Sequence, residues 1–217
     1  MASLPLGLDP VAAYFRRMLL PAPGFIDPCI PTFATEPPVG PQWIHEIEHD
    51  GYRLIVCRRA GRVRLFNRSG YDWTDRYPLI VAAADVLPTD ATVDGEVVVC
   101  DDAGISDFER LHSRTLDRVA FLWAFDLLEL DGEDLRARPL FERKGALDRL
   151  LRRAKIGIQF NEHFRDGAKA FAHACQFGLK GIISKDRSSP YRSGPSKTWL
   201  KIKRPTAARV SRFEGRS

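Results

Sequence analysis

Two methionines and four cysteines are all the sulfur this sequence carries. The cysteines, Cys29, Cys57, Cys100 and Cys175, stand far apart and none forms a CxxC pair. That spacing excludes a zinc ribbon or a dithiol redox motif and suits a reducing compartment, the cytoplasm. No apolar run reaches the length of about 18 residues that a membrane-spanning helix needs. Arg16 and Arg17 are followed by only Met18, Leu19 and Leu20 before Pro21, an apolar core too short for a secretory signal. Neither membrane attachment nor loss of this segment on secretion is expected. The histidines, His45, His49, His112, His163 and His173, lack metal-ligand spacing, and none is assigned to a metal. There is no internal repeat and no low-complexity tract.

What remains is an ordinary globular chain. It has 217 residues, 44% hydrophobic and 28% charged, enough for one domain of usual size or two small ones. A core of that size needs no disulfide or structural zinc. The charge, however, is unevenly spread. From Lys180 to Ser217 eleven Lys or Arg face two acids, a balance of +9, while the preceding residues hold 22 positive and 26 negative charges, a balance of −4. A basic segment on a near-neutral body suggests a phosphate-bearing partner, although a solvated tail would look the same.

Along the chain, residues 1–24 read as an arm, with Asp9 and Pro10 opening a short helix that Pro21 and Pro23 end. The proline-rich stretch through Pro41 reads as extended. Strands are predicted at Trp43–His49, Tyr52–Arg59 and Arg62–Asn67, with Ala60-Gly61 as a hairpin turn. Asp75 is expected to cap a buried helix beginning at Pro78. Ala91–Cys100 reads as a strand buried on both faces, and Ser106 with Glu109 as the capping box of a helix carrying Phe108 and Leu111. Val119–Leu130 reads as a long core strand ending in an Asp131-Gly132 turn. Leu140–Ala154 is an amphipathic helix, its apolar stripe on Leu147, Leu150, Leu151 and Ala154 and its basic residues, Arg143 and Lys144 among them, mostly elsewhere. A helix over Asp166–Phe177 ends at Gly178. Gly181–Lys185 and Thr198–Lys203 close the body as strands, and residues 206–217 form a basic tail. Hairpins interleaved with helices predict an α+β fold with mostly antiparallel sheets.

Six clusters carry candidate chemistry. They are Glu46-Ile47-Glu48-His49-Asp50-Gly51-Tyr52-Arg53, Asn67-Arg68-Ser69-Gly70, Asp94-Gly95-Glu96, Phe125-Asp126-Leu127, Lys180-Gly181-Ile182-Ile183-Ser184-Lys185 and Trp199-Leu200-Lys201-Ile202-Lys203. Gly51 would let backbone approach a ligand closely, and Arg53 offers a planar fork for phosphate. Lys201 and Lys203 project from one strand face and could hold one phosphate group as two point charges. Each cluster also has a plain explanation. Asp50-Gly51, Asp94-Gly95 and Asp131-Gly132 are common turn dipeptides, Phe125 could be core, and the lysine pair could be the wet face of an edge strand.

In order, these clusters resemble the covalent nucleotidyltransferases, which include ATP-dependent DNA ligases, RNA ligases and mRNA capping enzymes. The likeness is greatest to the adenylation domain of bacterial ATP-dependent DNA ligases of the end-joining type. It spans residues 25–205, from Phe25-Ile26-Asp27-Pro28 to the last cluster, and includes Ser189-Pro190-Tyr191-Arg192-Ser193-Gly194. The Ser189–Gly194 segment favours a DNA ligase over an RNA ligase or capping enzyme. The resemblance implies an ATP-grasp-like nucleotidyltransferase fold, ATP and Mg²⁺ as cofactors, and DNA nicks or ends as substrate. It also implies a nucleotide site built from Glu46, Asp50, Gly51, Arg53, Arg68, Glu96, Phe125, Lys185, Lys201 and Lys203. In it Arg68 contacts ribose and phosphate, Glu96 holds the ribose hydroxyls, and Phe125 stacks on adenine. Lys201 and Lys203 stabilise charge on the α-phosphate.

The pattern breaks at two positions. The family's KxDGxR lysine, which becomes lysyl-AMP, is here Glu48. The metal-binding glutamate of its EGxxxK motif is here Lys180. A carboxylate is a weak nucleophile and is repelled by a triphosphate; an attack by it would give an acyl phosphate instead of a phosphoramidate. An ammonium supplies charge but cannot coordinate several oxygens at fixed geometry. Self-adenylation is therefore expected to fail, with weak adenine-nucleotide or DNA binding left. Glu48 and Lys180 are expected to face one pocket as an ion pair. Relocation of the nucleophile to Lys180, or a chance change at one position, stands as an alternative. Only Arg204 to Ser217 follow the last cluster, so the expectation is a solitary monomeric adenylation domain without an OB-fold domain. A separate ligase, OB-domain or repair protein could then be its partner. The rival reading is a non-catalytic module for nucleic-acid ends or a repair partner.

Overall fold

Eleven strands and four α-helices make up the described residues, 24–152 and 156–205, of the computed structural model. In chain order the first strands are β1 (Cys29–Phe33), β2 (Trp43–Ile47), β3 (Tyr52–Arg59), β4 (Arg62–Asn67), β5 (Ala91–Val98) and β6 (Phe121–Leu130). Then come β7 (Glu133–Asp134), β8 (Ile158–Phe160), β9 (His163–Phe164), β10 (Gly181–Asp186) and β11 (Gly194–Lys203). The helices are α1 (Pro78–Asp85), α2 (Phe108–His112), α3 (Leu140–Leu151) and α4 (Gly167–Gln176). The helix expected over Asp9–Leu20, the tail from residue 206 and Ala154 lie outside the described residues.

The strands form two sheets. One has the order β4-β3-β5-β6-β7, with β8 added parallel to β6. The other has the order β1-β11-β10-β2-β9. The fold is α+β and mostly antiparallel; the parallel pairs are β6 with β8 and β1 with β11. The Ala60-Gly61 hairpin works because both residues take positive φ, +50° and +69°, which matches the twist of β3 and β4.

Both faces of β3 and β5 are buried, and this sets the layers. Leu54, Val56, Val93 and Val97 pack with Ile80 and Ala84 of α1 and Leu147 and Leu151 of α3. On the opposite face Ile55, Cys57, Phe66, Phe125 and Leu128 meet Cys29, Tyr191 and Trp199 of the second sheet's side. The outer face of that second sheet is covered by Ala170 and Ala174 of α4 against Ile182 and Ile202. Each fully buried large side chain contributes about 1.5–3 kcal/mol, so the middle layer holds the two sheets face to face. No described helix is long and apolar enough to cross a membrane.

Several local expectations need correction. Cys29–Phe33 is a strand, because β11 supplies the partner that a proline-rich segment cannot announce locally. Asp75 does not cap α1; it lies in a 3₁₀ turn, Thr74–Arg76, and α1 starts after Tyr77 with no side-chain cap and a proline in its first turn. The cap of α2 is Asp107, whose carboxylate accepts from the Arg110 N–H, so the Ser106–Glu109 box is not formed. The strand expected at Ala91–Cys100 is present as β5, Ala91–Val98, with Asp94-Gly95 in its interior, so the plain turn explanation for that pair does not apply. Arg143 and Lys144, expected mostly off the apolar stripe of the helix, are both buried.

Gly51 serves packing. A Cβ there would sit 2.0 Å from the Val97 carbonyl oxygen and 3.0 Å from Val98 Cγ1. The backbone at Gly51 thus makes a close approach to β5. Gly51→Ala should cost about 3 kcal/mol, because backbone cannot yield as a side-chain tip does. Urea unfolding of the variant measures it, and a change below about 1 kcal/mol would contradict the packing role.

Candidate active site

The cleft between the sheets collects most of the charged side chains that the sequence singles out. β3, β5 and β6 present Arg53, Asp94, Glu96 and Phe125. β2 and the bend after it present Glu46, Glu48 and Asp50, while β10 and β11 present Lys185 and Lys201. Gly181 tightens the second wall: at φ +151° its Cα lies so close to β11 that a Cβ would be 2.1 Å from the Ile202 carbonyl oxygen. The Gly181 carbonyl in turn accepts from the Glu48 N–H at 3.0 Å. Lys180, Glu48 and Lys201 are brought together in this way.

Their geometry is an ion cluster. Glu48 Oε1 lies 2.7 Å from Lys201 Nζ and 3.6 Å from Lys180 Nζ. Lys180 Nζ lies 3.2 Å from Asp50 Oδ1. Glu48 and Lys180 thus share a pocket, but the nearer partner of Glu48 is Lys201. The Lys201 contact is a short charge contact whose angles do not make a directed hydrogen bond; Glu48 Oε2 is buried without a donor. Lys180 donates and cannot ligate a cation, and both nearby carboxylates face ammoniums. This donor set does not fit Mg²⁺.

Deeper in the cleft Glu46 faces two lysines, accepting a hydrogen bond from Lys144 and making a short charge contact with Lys185. Lys144 Nζ and Lys185 Nζ each lie 2.6 Å from one of its oxygens. Burial alone would raise the Glu46 carboxyl, but the two ammoniums outweigh it and hold it below the usual range. Burial pushes the Lys185 ammonium down against the pull of Glu46. Lys185 also lies over the rings of Trp199, at 3.9 Å, and Phe125, at 4.3 Å.

Arg53 is not a free fork. Its Nε and Nη2 donate to Asp94 at 2.5 and 2.6 Å, and its guanidinium lies 4.5 Å from the Phe125 centroid. Burial works against its charge, and Asp94 more than restores it, so its pKa is raised. Tyr191 Oη donates to the same carboxylate at 2.6 Å and accepts from the Cys29 N–H at 2.9 Å. The fork assigned to phosphate is therefore engaged by a carboxylate. Phe125 is buried at 8% exposure, edge-on to Trp199. Burial raises the carboxyl of Glu96, across from Arg53 in the ladder, to about 7, with Lys180 opposing the rise. Arg68 is exposed on the turn after β4. Lys203 is exposed at the end of β11 with its ammonium 5.7 Å from the ring of Phe33.

The sequence reading missed Lys144, Asp94 and Asn161 as site builders. For Lys144 a signal existed: Leu140, Lys144, Leu147 and Leu151 share one helical stripe, so a lysine in that row had to find a buried acid. Asp94 stood in a candidate cluster and a predicted strand, but no role was given to it. Asn161 holds His49, whose Nε2 lies 3.0 Å from Asn161 Oδ1 and whose ring stacks on Trp123. Burial lowers the His49 pKa to about 4.

Comparison with known proteins accords with this arrangement. Residues 34–203 match the ATP dependent DNA ligase domain family. The multifunctional non-homologous end joining protein LigD of Pseudomonas aeruginosa is 37% identical over 190 residues, 84% of this chain and 22% of that protein. The LigD of Mycobacterium tuberculosis is 38% identical over 164 residues, 75% of this chain and 22% of that protein. This chain thus spans about a fifth of the length of these relatives. A mycobacterial DNA ligase D structure, complexed with ATP and MES, superposes with a TM-score of 0.74 at 37% identity, covering 82% of this chain and 60% of that one. The ligase domain of M. tuberculosis LigD gives 0.73 at 35%, again over 82% and 60%. The chain belongs to the ATP-dependent DNA ligase family, as an adenylation domain of the kind found in LigD end-joining ligases.

Proposed function

We propose that this domain keeps the adenine- and DNA-facing surfaces of an end-joining ligase but does not adenylate itself. The observation that carries the reading is the 2.7 Å contact between Glu48 and Lys201. On the family's plan, the first group is the attacking amine and the second neutralises the α-phosphate. Here the first is an anion and the second is already paired. In-line attack tolerates little displacement, so Lys180, held 3.2 Å from Asp50, is a poor substitute nucleophile. Magnesium has no fitting donors at Lys180, and no step is assigned to it. Adenine nucleotide binding is correspondingly weak.

Incubation of the wild-type chain with α-labelled ATP and magnesium, followed by denaturing electrophoresis, tests the reading. No covalent label is expected. A labelled band would overturn it.

The +9 balance from Lys180 onward favours a second role in holding DNA nicks or ends. Such binding falls steeply with rising salt, because releasing the DNA's condensed counterions gains less entropy at higher ionic strength. A repair protein as partner belongs to the same proposal.

A further inference from the structure

Glu48 changes what the cleft can hold as well as what it can catalyse. Before any ligand arrives, the ammoniums of Lys201 and Lys180 face the carboxylates of Glu48 and Asp50, with contacts of 2.7, 3.6 and 3.2 Å. A phosphate on Lys201 would have to displace Glu48 or lie beside it, and like charges at such range repel strongly in a partly desolvated site.

The same side chain has an unmet need. Glu48 is 7% exposed, and its Oε2 has no hydrogen-bond donor. A buried carboxylate oxygen without a donor is destabilising, and a ligand hydroxyl would satisfy it. A phosphate ionised at neutral pH has chiefly acceptors to offer. Glu96 lies on the facing sheet as a second acid for hydroxyl groups.

We propose that this cleft selects an uncharged adenine nucleoside over the triphosphate, with Glu48 standing in the anion's place on Lys201 and offering Oε2 to a ribose hydroxyl. The proposal rests on the reading above that the cleft binds adenine. It differs from that reading in naming the ligand class and the residue that sets it.

Calorimetric titration with adenosine and with ATP, in one buffer, decides the matter on the wild-type chain alone. Adenosine is expected to bind at least about tenfold more tightly than ATP. Glu48→Gln, which keeps the shape and removes the charge, is expected to raise ATP affinity by about tenfold or more and to reduce the preference. If the wild-type chain binds both ligands but ATP more tightly, the selectivity proposal falls while adenine binding stands. If neither ligand binds wild type or the variant, the adenine reading falls and takes the proposal with it.

Discussion

Arg143→Ala is expected to lower the unfolding free energy by about 3–5 kcal/mol, the largest single loss of stability in the domain. The guanidinium is fully buried and meets fully buried Asp126 through two hydrogen bonds of 2.8 Å. Its remaining nitrogen donates to the carbonyls of Arg138 and Ser189. Removing it leaves a carboxylate in the interior whose remaining hydrogen-bond donor among the described residues is the Leu127 N–H, at 2.9 Å. The loss also reaches beyond the pair. The start of α3 has no side-chain cap; its first N–H groups donate to the Ser189 and Arg187 carbonyls, at 3.0 and 2.9 Å. Arg143 ties that same loop to the helix, and the loop leads to Tyr191 on the cleft. Denaturant unfolding measures the effect. Arg143→Met with Asp126→Leu should recover much of it, because replacing both charges removes the uncompensated one. A loss below about 1 kcal/mol in the single variant would show that the pair is dispensable.

The exchange Glu48→Lys with Lys180→Glu is expected to produce the largest functional change, from no covalent label to a measurable lysyl-AMP. It puts an amine where the family's attack begins and frees Lys201 from its carboxylate. It also places a carboxylate beside Asp50, the beginning of a donor set for a divalent cation. The single changes should fail for separate reasons. Glu48→Lys alone would gather three ammoniums with Lys180 and Lys201, and Lys180→Glu alone would gather three carboxylates with Glu48 and Asp50. The label should survive hydroxylamine, which cleaves an acyl phosphate, and be lost in acid, which cleaves a phosphoramidate. An unlabelled but folded double variant would place further defects outside these two positions.

The sequence made β3, β4, β5 and β6 of the six-stranded sheet legible because they are local, while the short β7 and β8 were not expected. β3 and β4 are joined by a two-residue turn, β5 ends within the apolar run Val97-Val98-Val99, and β6 carries a long apolar run. What stayed hidden depends on partners far along the chain. Cys29–Phe33 pairs with residues beyond 193, so its prolines suggested an arm. Arg143 and Lys144 were counted among basic residues mostly off the apolar stripe, and their burial was not legible because their acids, Asp126 and Glu46, lie in other elements. In the cleft, the shared pocket of Glu48 and Lys180 was readable from the family pattern. The nearer contact to Lys201 was not, since it depends on how Gly181 presses β10 against β11. Arg53 was readable as a site residue, but its engagement by Asp94 was not, because it depends on the register of β3 against β5 and on the bulge at Asp94-Gly95.

The parallel pairing of β1 with β11 has a consequence for biosynthesis. Strands β3 to β6 leave the ribosome early and can zip together as neighbours, whereas β1 must wait for almost the whole body of the chain before its mate emerges. Until then Ile55, Phe66, Phe125 and Leu128 lack Tyr191 and Trp199 to cover them. A nascent or prematurely terminated chain therefore presents a sticky aromatic face, the kind of surface that chaperones hold and that drives clumping when they do not.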